Sequence, residues 1–143
     1  MQLTESSIAE HAEQMIRQVE RNGGPPLDFD EESLRLLDLL FRRNDPDFAA
    51  LSEAQRQVTV FYNGCFLGCA LAALLGGRWV LDGDWPDAAI VFSRSEGTGV
   101  QARPFEKIWR RLDEGEAGNG FLEYYEALRD LTRSGETSVS ENA

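Results

Sequence analysis

The chain has 143 residues, of which 42% are hydrophobic and 27% are charged. It carries 14 basic and 25 acidic residues, which gives a formal net charge of −11 at pH 7. This size and composition predict one globular domain. The charge argues against nucleic acid as a partner, because proteins gain affinity for phosphates by neutralising them with Lys and Arg.

Cysteine content and the N-terminus predict a cytoplasmic protein. The two cysteines do not make a disulfide framework, which is typical of a reducing compartment. The first residues do not contain a basic segment followed by an apolar stretch, the pattern of a secretory signal peptide.

The first predicted element is an amphipathic helix from about Ser7 to Arg21. Ser7 and Glu10 have the spacing of a capping box, and the Asn-Gly-Gly-Pro-Pro sequence of residues 22–26 ends the helix. His11 falls beside the apolar stripe and has no catalytic partner nearby in the sequence. We interpret it as a surface or boundary histidine.

The second predicted helix begins at Asp28 or Asp30, with acidic residues at its positive end. We expect it to end at the Asn-Asp-Pro breaker of residues 44–46. Ser52 and Gln55 then have capping-box spacing and predict the start of a third helix.

The third helix contains the most distinctive stretch of the chain. Residues 57–77 are uncharged, and the run lies between Arg56 and Arg78. We expect a helix over Val58–Leu75 that is apolar all round and mostly buried, with the other elements packed about it. A membrane span is the alternative, because about 20 apolar residues can cross a bilayer. Polar residues in its first half and the amphipathic segments elsewhere favour a core helix.

Small residues recur on one face of this helix at Gly64, Gly68 and Ala72, which predicts close approach of a neighbouring element. Cys65 and Cys69 are also four residues apart. Two thiols with this spacing provide half of a zinc site, but the sequence has no further cysteine. We therefore expect two buried apolar side chains and no metal or other cofactor.

After the central helix the sequence predicts three short strands, at residues 79–81, 88–93 and 100–103. The turn-rich connections, residues 82–87 and 94–99, are short enough to imply an antiparallel meander. Pro104 suits the first position of a fourth helix, and a fifth helix is predicted from Phe121 to Thr132.

These elements together predict an α+β fold: three N-terminal helices including the central apolar one, a three-stranded antiparallel meander, and two C-terminal helices. We expect a single domain over residues 1–133. Residues 134–143 are polar and predict a disordered tail.

The sequence does not contain a standard nucleophile, nucleotide-binding or metal motif, so we predict that the protein is not an enzyme. Acidic residues concentrate in two predicted loops, and Trp85 lies within the first of them. An aromatic residue among carboxylates is typical of an interface anchor, although the indole would also suit a position folded back over the sheet. The predicted partner-binding residues are Asp82, Asp84, Trp85, Asp87, Asp113, Glu114 and Glu116.

The segments Phe66-Leu67-Gly68 and Gly76-Gly77-Arg78-Trp79, followed by Pro104 at a helix start, resemble a family of small uncharacterised bacterial domains. The resemblance covers about residues 60–125 of the chain. It implies a glycine-bearing helix that leads into a Gly-Gly-x-Trp strand start and a short sheet. It implies no catalytic residue.

Small size, acidity and the lack of a catalytic set favour a protein-interaction module, in its sharpest form an immunity or antitoxin-like protein that neutralises a basic toxin. The alternatives are a regulatory subunit and an enzyme or small-ligand-binding protein with a pocket between the sheet and the helices. Self-association into a homo-oligomer also stays open.

Overall fold

A computed structural model describes residues 3–93 and 99–134 of the chain. Five helices and a three-stranded antiparallel sheet confirm the predicted α+β fold with its central apolar helix. The helices are α1 (Glu5–Arg21), α2 (Glu31–Phe48), α3 (Glu53–Leu75), α4 (Pro104–Glu114) and α5 (Phe121–Ser134). The strands are β1 (Arg78–Val80), β2 (Ala89–Phe92) and β3 (Val100–Ala102), with a short 3₁₀ turn at Trp85–Asp87.

Helix α1 begins earlier than predicted. Thr4 is its N-cap, and the Thr4 hydroxyl accepts a hydrogen bond from the Ser7 backbone N–H at 3.0 Å. The Ser7 hydroxyl accepts one from the Thr4 N–H at 3.0 Å, so the capping box lies one turn before the predicted pair of Ser7 and Glu10. Threonine and serine are both good capping residues, and the pattern of apolar positions alone does not separate the two frames.

Helix α2 begins after its N-cap Asp30, as predicted, but it does not end at residues 44–46. Proline lacks the N–H of one helical hydrogen bond, yet its φ angle is compatible with a helix. The extra turn is held by Phe48, whose ring lies 5.0 Å from that of Phe41. Packing against the core therefore overrides the breaker.

Helix α3 confirms the predicted capping box of Ser52 and Gln55, and Gly76 ends it in the left-handed conformation at φ 73°. By length and composition it is the one helix among the described residues that could cross a membrane. A core helix of a soluble protein meets the same two criteria. In this structure its middle, from Val60 to Leu71, is largely buried against the other elements.

The two glycines of α3 admit aromatic rings from the C-terminal half of the chain. A Cβ added at Gly64 would come within 3.0 Å of the Phe105 ring, and one at Gly68 would come equally close to Trp79. Close approach beside Gly68 is thus confirmed. It sets α4 and β1 directly against the central helix.

The sheet is the predicted meander, with strand order β1-β2-β3. Trp79 pairs with Ile90, and Ile90 pairs in turn with Ala102. Of the predicted second connection only Gly99 is described. The predicted tail also lies outside the described residues, apart from Ser134, which is the last residue of α5.

Candidate functional site

The first acidic loop, residues 82–87, presents its carboxylates to solvent. Asp82, Asp84 and Asp87 are all exposed. None of them forms an ion pair with a basic side chain of residues 3–93 and 99–134. The 3₁₀ turn fixes their backbone, and the Asp87 N–H donates to the Asp84 carbonyl at 3.0 Å. The loop is therefore a small acidic surface of defined shape.

Trp85 folds back over the core, the second of the two orientations considered for it. Its ring is half-buried and meets Phe61 edge-on at 5.3 Å and Phe105 edge-on at 5.1 Å. Edge-to-face pairs of this kind are favourable arrangements for aromatic rings. Trp85 thus packs the acidic loop against α3 and α4 and does not project into solvent as an interface anchor would.

The second acidic loop begins later than predicted, because Asp113 and Glu114 are the last two residues of α4. It differs from the first loop because two of the predicted carboxylates have partners. Asp113 forms an ion pair with Arg56. Glu116 accepts a hydrogen bond from the Arg42 Nε at 2.7 Å, and this bond lowers the pKa of Glu116. Glu114 is exposed.

The two acidic loops meet α4 at opposite ends. Trp85 contacts Phe105 in the first turn of that helix, whereas Asp113 lies in its last turn. Phe105 and Asp113 are eight positions apart in this helix, about 12 Å along its axis. The predicted site residues therefore form two separate surfaces. Only in the first surface, residues 82–87, does every carboxylate lack an ion pair with the basic side chains that the structure describes.

A buried polar cluster lies behind the second loop, and the sequence analysis missed it. The Asp38 carboxylate accepts hydrogen bonds from the Phe121 N–H at 2.9 Å and the Leu122 N–H at 3.1 Å, and so caps α5 from a distant helix. It also pairs with Arg111 at 3.0 Å, where the Arg111 side chain is only 3% exposed. A single carboxylate among the leucines of α2 is the signal that could have revealed this cluster.

Lys107, the one lysine of the chain, is also buried there. Its Nζ donates to the Gly118 carbonyl at 3.3 Å and lies 4.7 Å from the centre of the Tyr124 ring. Burial lowers the pKa of Lys107. The cation therefore ties the second loop to the helices and is not displayed on the surface.

The cysteines lack the properties of a reactive pair. Burial raises the pKa of Cys65 to about 12 and that of Cys69 to about 11. At neutral pH both are neutral thiols, whereas a nucleophilic or metal-binding cysteine requires a thiolate. Among the described residues there is no group of three His, Cys, Asp or Glu side chains that could hold a metal ion.

His11 lies at the boundary of the core, as expected. Its Nδ1 is 2.7 Å from the Ser7 carbonyl oxygen, and its ring meets Phe61 edge-on at 4.9 Å. These contacts within the fold assign it to packing between α1 and α3.

A groove of about 950 Å³ lies between the C-terminal halves of α1 and α2 and the first half of α3. This is a different place from the predicted pocket between the sheet and the helices. There, Trp79 and Phe105 occupy the space beside the glycines, and Phe92 and Ile90 lie against Gly77. Aromatic side chains fill that interface, whereas the helix–helix interface widens towards solvent.

The deepest apolar residues of the groove are Met15, Leu37 and Phe41, all buried. Nearer the opening, Val58 has 56% of its surface exposed. The charged residues in the wall are Arg17, Arg21 and Arg43. A protein with a net charge of −11 therefore has, at this place, a groove with a mixed apolar and polar lining whose charged residues are all arginines.

Comparison of the chain with protein-family models, with curated proteins and with solved structures finds no significant match. The resemblance to a family of small bacterial domains stays a prediction from residues Phe66–Gly68, Gly76–Trp79 and Pro104.

Proposed function

We propose that the protein is a non-catalytic interaction module of the immunity or antitoxin kind, which receives a basic protein partner on its first acidic loop. The observation that supports this proposal is the state of Asp82, Asp84 and Asp87. All three are exposed, and none has a cationic partner among the described side chains.

The loop is held in one shape before a partner arrives. Trp85 is seated against Phe61 and Phe105, and the 3₁₀ turn fixes the backbone between Asp84 and Ala88. A preformed loop loses less conformational entropy on binding than a mobile one, which favours affinity. The role of Trp85 in this proposal is to position the carboxylates, not to enter the partner.

Long-range attraction supplies the second part of the argument. A net charge of −11 attracts a cationic surface, and complementary charges mainly raise the association rate. Asp113 and Glu116 add to this field but already have the partners Arg56 and Arg42. We therefore assign the contact to the first loop and a supporting role to the second, where Glu114 is the exposed member.

The test is affinity capture from the native host, with wild-type protein beside the triple variant Asp82→Lys/Asp84→Lys/Asp87→Lys. The matched control is Glu10→Lys/Glu20→Lys/Asp47→Lys, which changes the net charge equally at exposed helical positions. We expect wild type and control to capture one basic protein and the loop variant to lose it. With the purified partner, association with the loop variant should be about tenfold slower and depend less on salt.

Equal capture of the same protein by wild type and by the loop variant would remove this loop from the interface. If the loop variant and the control lose the captured protein equally, the loss results from net charge and not from the position of the carboxylates in the loop. If the wild type captures no protein, the interaction proposal fails and the ligand-binding alternative gains weight.

A further inference from the structure

We propose that the groove between α1, α2 and α3 binds an amphipathic helix from a partner protein, one whose apolar stripe is flanked by acidic residues. The groove contains none of the residues of the acidic loops. The proposal is therefore independent of the one made for residues 82–87, and the two surfaces would contact different chemistry.

The shape of the groove suits a helix. Its wall along α1 extends from Gln14 to Arg21, about 10 Å or two helical turns, and residues 22–24 continue it beyond the helix end. Leu37 and Phe41 form its buried floor, and the apolar surface that solvent reaches belongs to Val58, which is 56% exposed, and to the half-buried Leu40 and Phe48. An amphipathic helix buries its apolar face in such a groove and leaves its polar face in water.

The positive charges that line the groove favour a partner helix that carries negative charge. Arg17, Arg21 and Arg43 line it, whereas the protein as a whole is acidic. Arg17 has only a 4.0 Å contact with Glu13 between two exposed side chains. Arg21 and Arg43 form no ion pair with the side chains that the structure describes. Carboxylates beside an apolar stripe would complement them.

Two other occupants fit less well. A small ligand is typically buried over 70–90% of its surface, and this groove is partly open to solvent. A second copy of the chain would need an exposed apolar stripe. Among the described residues, only Leu39 and Val58 are large hydrophobic side chains with high exposure.

The experiment is selection from a displayed library of peptides of about 15 residues, roughly the length at which an isolated helix begins to form in water. Each peptide carries apolar residues at i, i+3, i+4 and i+7, with the flanking positions varied among Glu, Lys, Gln and Ser. We expect wild-type protein to enrich peptides with acidic flanks. Their dissociation constants are then measured by fluorescence anisotropy.

Matched variants locate the binding site. Val58→Asp and the double variant Arg21→Glu/Arg43→Glu should each raise the dissociation constant of the enriched peptide by about tenfold or more. Leu39→Asp places the same charge at the other exposed apolar residue, outside the groove, and Arg78→Glu/Arg133→Glu reverses two exposed arginines elsewhere. Both controls should bind within about twofold of wild type. Circular dichroism shows whether each variant is folded. If Val58→Asp does not fold, the double variant Arg21→Glu/Arg43→Glu provides the test of the binding site.

Failure to enrich any peptide, enrichment of basic flanks, or equal losses in groove and control variants would each overturn the proposal. Tight binding of dansyl-undecanoate, a fluorescent long-chain carboxylate, that competes with the peptides and requires Val58 would replace the helix by a small ligand. A dimer seen in sedimentation at micromolar concentration and abolished by Val58→Asp would replace it by a second copy.

Discussion

Two faces of helix α3 differ in how closely other parts of the protein pack against them. On one side Gly64 and Gly68 admit Phe105 and Trp79 so closely that no Cβ would fit. Around the same helix, Val58 lies about 120° and Tyr62 about 160° from Gly64, and these two residues line a groove. One uninterrupted apolar sequence thus packs against α4 and β1 from the C-terminal half of the chain and against α1 from the N-terminal half, and part of its first half also lines the groove.

The arginines show the same division. On the packed side Arg111 is 3% exposed and paired with Asp38 at 3.0 Å. On the groove side Arg21 and Arg43 are exposed. A buried cation must have its partner within the fold, whereas an exposed one is free to meet another molecule. The packed side therefore contains a buried ion pair, whereas the arginines of the groove side face solvent.

The largest expected effect comes from breaking the packed side at Asp38. Asp38→Ala leaves the buried Arg111 with only a 4.0 Å contact to Glu116 and a 3.5 Å hydrogen bond to the Asn119 carbonyl, and it removes the cap from the Phe121 and Leu122 amides. We expect the free energy of unfolding in urea to fall by about 4 kcal/mol. Asp47→Ala, at an exposed position of the same helix, should change it by less than about 0.5 kcal/mol.

The double variant Asp38→Leu/Arg111→Met sharpens this test. It removes both charges, and replacement of a buried ion pair by apolar residues is often close to neutral. We expect it to be more stable than Asp38→Ala alone. A loss below about 1 kcal/mol in Asp38→Ala would show that the pair does not hold the packed side together.

Most of the fold was predictable because local patterns determine it. The apolar run, the Ser52 capping box, Gly76 and Pro104 each specify an element boundary without reference to the rest of the chain. The errors lie where two local signals compete or where packing decides. The capping box predicted at Ser7 lies three residues after the observed N-cap Thr4, and the Phe41–Phe48 contact carries α2 past its proline.

The second expected effect tests the glycine face of α3. Gly68→Leu would place a large side chain where Trp79 already lies, and we expect a loss of about 3 kcal/mol in the free energy of unfolding. Ala73→Leu adds the same bulk at an exposed position of the same helix and should cost less than about 0.5 kcal/mol. Equal melting temperatures for Gly68→Leu and wild type would mean that the space beside this glycine is empty.

The candidate sites were less predictable than the fold. The acidic residues of both loops are visible in the sequence. The pairing of Asp113 with Arg56 and of Glu116 with Arg42, however, joins residues more than fifty positions apart. The inward position of Trp85 was one of two expectations, and contacts with Phe61 and Phe105 decide it. The groove is formed by three helices together, so no single stretch of sequence contains its pattern.

The last expected effect concerns the two thiols of α3 and the dependence of stability on pH. In the unfolded chain a cysteine has an ordinary pKa of 9.0, whereas burial raises the pKa of Cys65 to about 12 and that of Cys69 to about 11. Between pH 9 and 11 the unfolded chain therefore binds fewer protons than the folded one. Stability must then fall as pH rises, by up to about 1.4 kcal/mol per pH unit for each thiol.

Lys107 acts in the opposite direction, because burial lowers its pKa and the unfolded chain then binds the extra proton. The variant Cys65→Ala/Cys69→Ala keeps Lys107, so its effect cancels when the two proteins are compared. We expect the variant to lose less stability than wild type between pH 9 and 11 in urea unfolding. The single variant Cys65→Ala should account for the larger share, since Cys65 is the more deeply buried thiol. Parallel pH profiles for wild type and the double variant would mean that water reaches both thiols, and that the apolar run of α3 is more open than the packed side requires.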